Sequence, residues 1–412
     1  MRSPLLLACL VSAFAAIGQA EEPERHWYKG NTHAHSLWSD GNDFPEMITD
    51  WYHSAGYHFL AISDHNVLSR GEKWMSIAAI KKRQKALGKT ALQKLETRFG
   101  ADWIVRRQQP DGTEEIRLRR IDEYRDRYEK AGEFLLIEAE EISAAFTVHV
   151  NAINLDEVIP PKKGENVVDT IRLNFQAVAE QEERLGRKIL AHLNHPNFRW
   201  AVSAEQLAEA VEARYFEVYN GHPGINHLGD ADHPGDERIW DLANTLRLTE
   251  LKGPDVRPLF GLATDDSHTY HGGSISPGRG WIMVHATELS ADGLISAMRE
   301  GHFYASTGVV LEEVTFDPAT RELRFRIQPV EGATFQTKII GTRPADGEAG
   351  TGAVLASFGG ETEIRYVMKE GELYARATIT SSEAATNPSF RGMKKQAWTQ
   401  PVGWKRKRPR LP

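Results

Sequence analysis

Six short apolar runs, YHFLAIS (57–63), EFLLIEA (133–139), RKILAHL (187–193), YFEVYN (215–220), PLFGLAT (258–264) and RGWIMVH (279–285), recur with helix-like segments between them. That alternation predicts an α/β domain with parallel strands. The residues just past each run narrow the choice. FLAIS leads into Asp64 and His65, LLIEA into Glu140 and Glu141, KILAHL into His195, and LFGLAT into Asp265, Asp266 and His268. In a barrel of parallel strands the carboxyl ends gather on one face, so metal-capable side chains far apart in sequence meet in one place.

The helices carry their own punctuation. Pro45 suits a first helical position and Gly56 a C-terminal cap around EMITDWYHSA. Val168, Ile171, Phe175, Val178 and Leu185 fall at helical spacing over 167–185, and Gly186 ends the run. Ser203 and Gln206 predict a capping box for AEQLAEAVEA, and LISAMRE stops at Gly301.

Two regions break this rhythm. Residues 70–130 are heavily charged and helical in character, and read as an insertion over the face or side of the barrel. From about residue 309 the pattern turns to short alternating strands separated by Gly, Pro and Asp turns, which predicts a small β-sandwich over 309–400. The barrel unit then spans 21–308, and residues 401–412 form a basic tail.

Composition bounds the partners. The 412 residues are 41% hydrophobic with a net charge of −7, which argues against general nucleic-acid binding. Arg391, Lys394, Lys395, Lys405, Arg406, Lys407, Arg408 and Arg410 depart from that balance, and residues 391–412 read as a solvated tail. The run LLLACLVSAFAAIGQA after Arg2 predicts a cleaved secretory signal over residues 1–20, hence an exported, periplasmic or secreted protein with no other membrane span. Cys9, within that run, is the only cysteine, so no thiolate serves as nucleophile or ligand in the exported chain.

His33 and His35, spaced i and i+2, lie on one side of an extended segment and can share an ion. Alone such a pair is weak, because histidine is commonly just partly buried. Joined by the strand-end residues, the pieces THAHSLWSDG, ISDHN, EEIS, HVN, NHPN and TDDSH, in this order over residues 26–285, resemble the PHP family, named for polymerase and histidinol phosphatase. YNG, ERIWDLAN, GHFYASTG and AWTQPV are further similar to its exported, carbaryl-hydrolase-like branch. The resemblance implies a distorted (β/α)7 barrel holding three divalent ions. His33 and His35 would hold one metal, Asp40 and His65 a second, and His149 and His195 a third. Glu141 would bridge two ions, with Glu138 and Glu140 as competitors for that place, and Asp266 and His268 would close the site.

Imidazole and carboxylate ligands suit Zn, Mn or Fe. Such ions bring the pKa of bound water from about 15.7 towards 7, which supplies a bridging hydroxide near neutral pH. The expected activity is therefore metal-dependent hydrolysis of a phosphoester in a small, anionic substrate, with Asp266 and His268 managing the proton. Hydrolysis of a carbamate, amide or carboxylic ester is the alternative within enzymes, and a non-catalytic, metal-stabilised binding protein the alternative outside them. The crowded loop 220–236, with His222, His227, Asp230, Asp232 and His233, reads as a substrate rim or an extra ion site, and Arg279 as an anion guide or a surface residue. His192 is expected behind the ligands or in the core, and Asp64 to orient a neighbour.

Overall fold

The structure is a computed structural model that describes residues 24–84, 90–251, 253 and 256–405. The expected signal at 1–20, Cys9 and most of the basic tail lie outside those residues. The chain opens with strand β1 (His26–Asn31), helix α1 (Pro45–Ser54) and strand β2 (Phe59–Ile62). Pro45 begins α1 and Gly56 comes just after its end with a φ of 74°, in the left-handed region glycine tolerates.

The charged segment comes next. It is less helical than its composition suggests: β3 (Trp74–Ser76), α2 (Ile77–Gln84), α3 (Ala91–Phe99), β4 (Arg106–Gln108), β5 (Glu114–Arg117) and α4 (Ile121–Tyr124) include a three-stranded antiparallel sheet ordered β3-β5-β4. Short, solvated strands such as RRQ carry no apolar alternation to betray them. Ile80, Leu95, Ile116 and Leu118 pack on Leu37, Trp38 and Phe44, and Lys94 Nζ donates to Asp43 Oδ2 at 2.7 Å. This segment therefore backs the loop that carries Asp40.

The main body continues with β6 (Leu135–Ser143), β7 (His149–Ile153), α5 (Val167–Leu185), β8 (Leu190–Leu193), α6 (Ala204–Glu209), β9 (Tyr215–Asn220), α7 (Asp236–Thr249), β10 (Phe260–Thr264), β11 (Trp281–Ala286), α8 (Ala291–Arg299) and β12 (Phe303–Ser306). Helix α5 is capped by Asn166, which accepts from the Asp169 N–H, and ends at Gly186. Its Ile171, Phe175 and Val178 are buried against Val150, Leu193 and Phe216 of the sheet, each contributing about 1.5–3 kcal/mol.

The fold is mixed α/β, built on one large open sheet rather than a closed barrel. The order is β10-β9-β8-β7-β6-β2-β1-β11-β12, and it runs on through β19-β18-β15-β16. β1, β2, β6, β8, β9 and β10 point the same way, while β7 turns back between β6 and β8. Closure would need β10 beside β1, but β11 occupies that edge of β1 with antiparallel pairs from His26–Ala286 to Gly30–Ile282. Among the described residues the circle is joined at the mouth, where Asp266 N donates to His33 O and His35 N to Ser267 O, both at 2.9 Å. An apolar run announces a strand but not its direction or its neighbour, so the sequence could not show this.

The remaining strands are β13 (Leu311–Asp317), β14 (Glu322–Ile327), β15 (Phe335–Gly341), β16 (Ala353–Gly359), β17 (Glu363–Val367), β18 (Ala375–Ala384) and β19 (Lys394–Thr399). A second sheet, β13-β14-β17, shares a core with the large one through Phe325, Ile339, Tyr366 and Ile379. The expectation of a solvated tail from residue 391 is corrected here. β19 lies between β12 and β18 with Ala397 and Trp398 buried; its lysines at 394 and 395 stand at the more open start of the strand, ahead of three buried residues.

Candidate metal centre

The nine side chains that the resemblance implies as ligands gather at the carboxyl ends of the parallel strands. His33 and His35 come after β1, Asp40 in the next turn, His65 after β2, Glu141 late in β6, His149 at the start of β7, His195 after β8, and Asp266 and His268 after β10. Their nitrogen and oxygen atoms form four overlapping groups, each within 4.8 Å: His35, Asp40, His65 and His268; His33, His195 and Asp266; His33, His35 and Glu141; His65, Glu141 and His149.

Two carboxylates knit the groups together. Glu141 Oε2 lies 3.6 Å from His33 Nε2, 3.4 Å from His35 Nε2 and 2.8 Å from His65 Nδ1, while its Oε1 lies 2.9 Å from His149 Nδ1 and 3.4 Å from His195 Nε2. Asp266 Oδ1 lies 3.3 Å from His33 Nε2, 3.2 Å from His35 Nε2 and 3.5 Å from His268 Nδ1. Asp40 completes the outer side, 3.3 Å from His268 Nε2 and 3.6 Å from His65 Nε2. Glu141 and not Glu140 reaches the cluster, since alternation along β6 sends Glu140 to the opposite face, where its Oε1 accepts from the Ile159 N–H.

The charges within the cluster shift one another strongly. Burial pushes Glu141 and Asp266 up, yet the surrounding histidines outweigh it and hold both carboxyls well below their ordinary range. Burial, aided by His268, brings His35 down to about 4 and keeps its imidazole neutral. The Nε2 atoms of His33 and His35 and Oε2 of Glu141 are buried without a hydrogen-bond partner. Three such atoms converging on common points is an arrangement that a cation satisfies and a plain core would not tolerate. The residues present therefore fit divalent ions.

Behind this cluster stand groups that sequence reading missed. Glu217, fully buried in β9, accepts from His33 Nδ1 at 2.7 Å, from the His195 N–H at 2.8 Å, from Thr264 Oγ1 at 2.7 Å and from Asn220 Nδ2 at 2.8 Å. The signal was a single carboxylate inside the otherwise apolar run YFEVYN. Asn194 donates to Glu141 Oε1 at 2.9 Å, and the Ser143 hydroxyl meets His65 Nδ1 at 2.6 Å. His195 and Asp266 have φ of 22° and 46°, a conformation that costs a side-chain-bearing residue about 1–2 kcal/mol and here aims both side chains inward.

The other residues singled out in the sequence take the following places. Asp64 orients its neighbours Ser36 and Ser39 and belongs to no donor group: it accepts from the Ser36 N–H, Ser36 Oγ and Ser39 Oγ and so shapes the loop before Asp40. His192 sits buried behind the centre, 3.2 Å from Thr32 Oγ1. Arg279 is buried, with Nη1 donating to Gly221 O at 2.8 Å, so it braces the rim instead of facing solvent. In loop 220–236, His227 is bound to Asp236 and to Asn220 O, and His233 to Asp230 while stacked on Trp200. Among the described residues that loop supplies no member of a ligand group. His222 stands edge-on to His268, ring centres 5.9 Å apart, at the lip of the centre.

No protein-family model matches the chain, and no curated protein matches it. Among solved structures it is similar to the crystal structure of a two-domain protein containing a predicted PHP-like metal-dependent phosphoesterase from Bacteroides vulgatus. The identity is 17% and the TM-score 0.41, over 93% of this chain and 98% of that one.

Proposed function

We propose that the chain is a metal-dependent hydrolase of the PHP kind that cleaves phosphoesters. The observation that carries the reading is the sharing of His33, His35, His65 and Glu141 among overlapping donor groups, with buried, unpartnered nitrogen and oxygen atoms turned to the same space. His33, His35, Asp40, His65, Glu141, His149, His195, Asp266 and His268 would hold up to three divalent ions, Zn, Mn or Fe by the chemistry of the donors. When bound, such ions polarise phosphoryl oxygens and lower the pKa of water to near 7.

The chain's own groups do the rest. Glu217 holds His33 with Nε2 turned inward, Asn194 steadies Glu141, and the 36–39 loop sets Asp40. Proton handling falls to Asp266 and His268, which lie side by side, 3.5 Å apart. Asp40, Glu141 and Asp266 carry fewer negative charges than three divalent ions carry positive ones, and that surplus favours an anionic substrate. The carbaryl-hydrolase-like branch is the narrower part of the proposal, supported by the YNG, ERIWDLAN and GHFYASTG segments.

A division into a metal-binding unit over 21–308 and an all-β unit over 309–400 belongs to the same proposal; the change to purely antiparallel pairing after Ser306 supports it. So does export, which rests on the apolar run near the N-terminus. No helix among the described residues is long and apolar enough to cross a membrane.

The deciding experiment strips the protein of ions and reloads it with Mn, Zn or Fe. Ion content is then measured, and phosphomonoester, phosphodiester and carboxylester chromogenic substrates are compared. Phosphoester turnover that vanishes in a His33→Ala/His35→Ala variant is the expected result. A chain that takes up no ions overturns the reading, and ester turnover without phosphoester turnover moves the substrate to a carbonyl.

A further inference from the structure

The half-buried ring of His222 is held along one edge. Its Nδ1 accepts from the Gly224 N–H at 3.0 Å, and a Cβ at Gly224 would fall 2.9 Å from its Cε1, so that edge is packed against the backbone of its own loop. An Nδ1 that accepts keeps the proton of a neutral imidazole on Nε2. That Nε2 has no hydrogen-bond partner among the described residues, in contrast to His227, whose two nitrogens are engaged by Asp236 and Asn220 O. A nitrogen that carries a proton cannot ligate an ion. His222 is therefore a hydrogen-bond donor beside the centre and not a further ligand.

The surrounding contacts fix it there. The His222 N–H donates to Asn220 Oδ1 at 2.8 Å, and the amide of the same Asn220 donates to Asp266 Oδ2 at 3.1 Å. The ring is edge-on to His268, and Phe198 stands edge-on to both His222 and His195, with ring centres 6.2 and 5.3 Å away. Asn197 and Asn226 exchange side-chain to carbonyl hydrogen bonds at 3.2 and 3.1 Å, which ties the Phe198 loop to that of His222. Arg199 and Trp200 follow with φ of 54° and 58°, two consecutive left-handed residues that each cost about 1–2 kcal/mol. Strain of this kind collects at functional sites.

We infer that His222 donates its Nε2 hydrogen to the ester oxygen that leaves phosphorus. The inference rests on the hydrolase reading above and names a residue that touches the substrate. Phosphoryl oxygens belong with the buried donors. The side chains of His33 and His35 have no exposure, whereas His268 keeps 16%, and His222 stands against it; the group esterified to phosphorus therefore extends on that side. In the reaction the oxygen of water bonds to phosphorus, the bond from phosphorus to the ester oxygen breaks, and its electron pair stays on that oxygen. The proton the alcohol gains is one that water has lost, passed by Asp266 and His268. His222 keeps its own proton and meets the charge growing on the leaving oxygen, an interaction stronger in the transition state than in the bound ester.

The test joins nitrogen NMR to kinetics. In the metal-stripped chain at mildly alkaline pH, the imidazole signals that vanish in His222→Gln should be those of an Nε2–H tautomer; an Nδ1–H tautomer overturns the inference. In the metal-loaded chain, His222→Ala should keep the parent's ion content and lose about 100-fold in kcat/KM with phenyl phosphate. The loss should be much smaller with para-nitrophenyl phosphate, whose ring itself spreads the charge, and His222→Gln, which offers an amide N–H, should recover part of it. An equal loss with both esters, no loss, or loss of ions in His222→Ala overturns the inference. If the parent turns over carboxylesters alone, the phosphoester reading fails, and the same comparison on phenyl and para-nitrophenyl acetates decides the role of His222 separately. Turnover of neither ester class overturns both.

Discussion

Glu217 Oε1 accepts the Nδ1 proton of His33 across 2.7 Å, and both side chains are fully buried. That contact fixes the tautomer of His33 and leaves its Nε2 lone pair facing Glu141 and Asp266. A carboxylate behind a histidine both orients the ring and raises its basicity as a ligand. Glu217→Gln should therefore fold and yet lower metal affinity about 10–100-fold. Ion content after dialysis against a weak chelator measures it; full retention at wild-type level would remove Glu217 from the centre.

The neighbouring glutamates of β6 should behave in opposite ways. Glu141→Gln removes the charge shared by two groups and should cost most of the bound metal, whereas Glu140→Gln should leave ion content unchanged. Glu140 instead governs stability. Burial pushes its carboxyl up to about 7, against a weaker opposing pull from the Ile159 N–H. Between pH 4.5 and 7 the folded state thus binds more protons than the unfolded one, so stability falls as pH rises and levels off above 7. Glu140→Gln should be about 2–3 kcal/mol more stable than the parent at pH 8 and equal to it near pH 4, measured by urea unfolding. Some slope will persist, because burial also brings Glu46 up to about 7.

Asp265 offers a test of the scaffold beside the centre. Its Oδ1 accepts from the Arg279 and Gly280 N–H groups at 2.6 and 3.0 Å, and its Oδ2 from Tyr52 Oη and the Gly278 N–H at 2.7 and 2.9 Å. Asp265→Asn would turn an amide NH2 towards two donors. The expected loss is about 2–3 kcal/mol, with hydrogen exchange rising first at 278–280. A variant as stable as the parent would show that the carboxylate does not hold that turn.

The site was more legible than the frame that holds it, for a physical reason. His, Asp and Glu at the ends of apolar runs contradict the local preference for β-branched residues, and function is the usual cause of such a conflict. Glu217 escaped because its carboxylate lies inside a strand, where a buried charge in YFEVYN resembles an edge residue until its four donors are seen. Helix α5 was readable from its apolar period and its stop at Gly186, whereas the reversal of β7 and the pairing of β11 with β1 depend on tertiary contacts that no local pattern encodes. Lys394 and Lys395 stand at the more open start of β19, so charge there reports that end of the strand and says nothing of the burial of Ala397 and Trp398.

The join between α7 and the C-terminal strands rests on Arg376 and Asp241. The guanidinium is fully buried, with Nε 2.9 Å from Asp241 Oδ1 and Nη2 2.7 Å from Oδ2, and it lies over the Trp240 ring at 4.6 Å. Tyr374 Oη donates to the same carboxylate at 2.8 Å. Removing one partner strands a charge away from water, so Asp241→Leu or Arg376→Met should each cost about 3–5 kcal/mol. Replacing both, Asp241→Leu with Arg376→Met, restores an apolar contact of similar volume and should recover most of that loss. The comparison is made by denaturant unfolding of all four proteins. Losses that simply add in the double variant would mean that the two side chains act independently, and that packing of Trp240, not the ion pair, fastens α7 to β18.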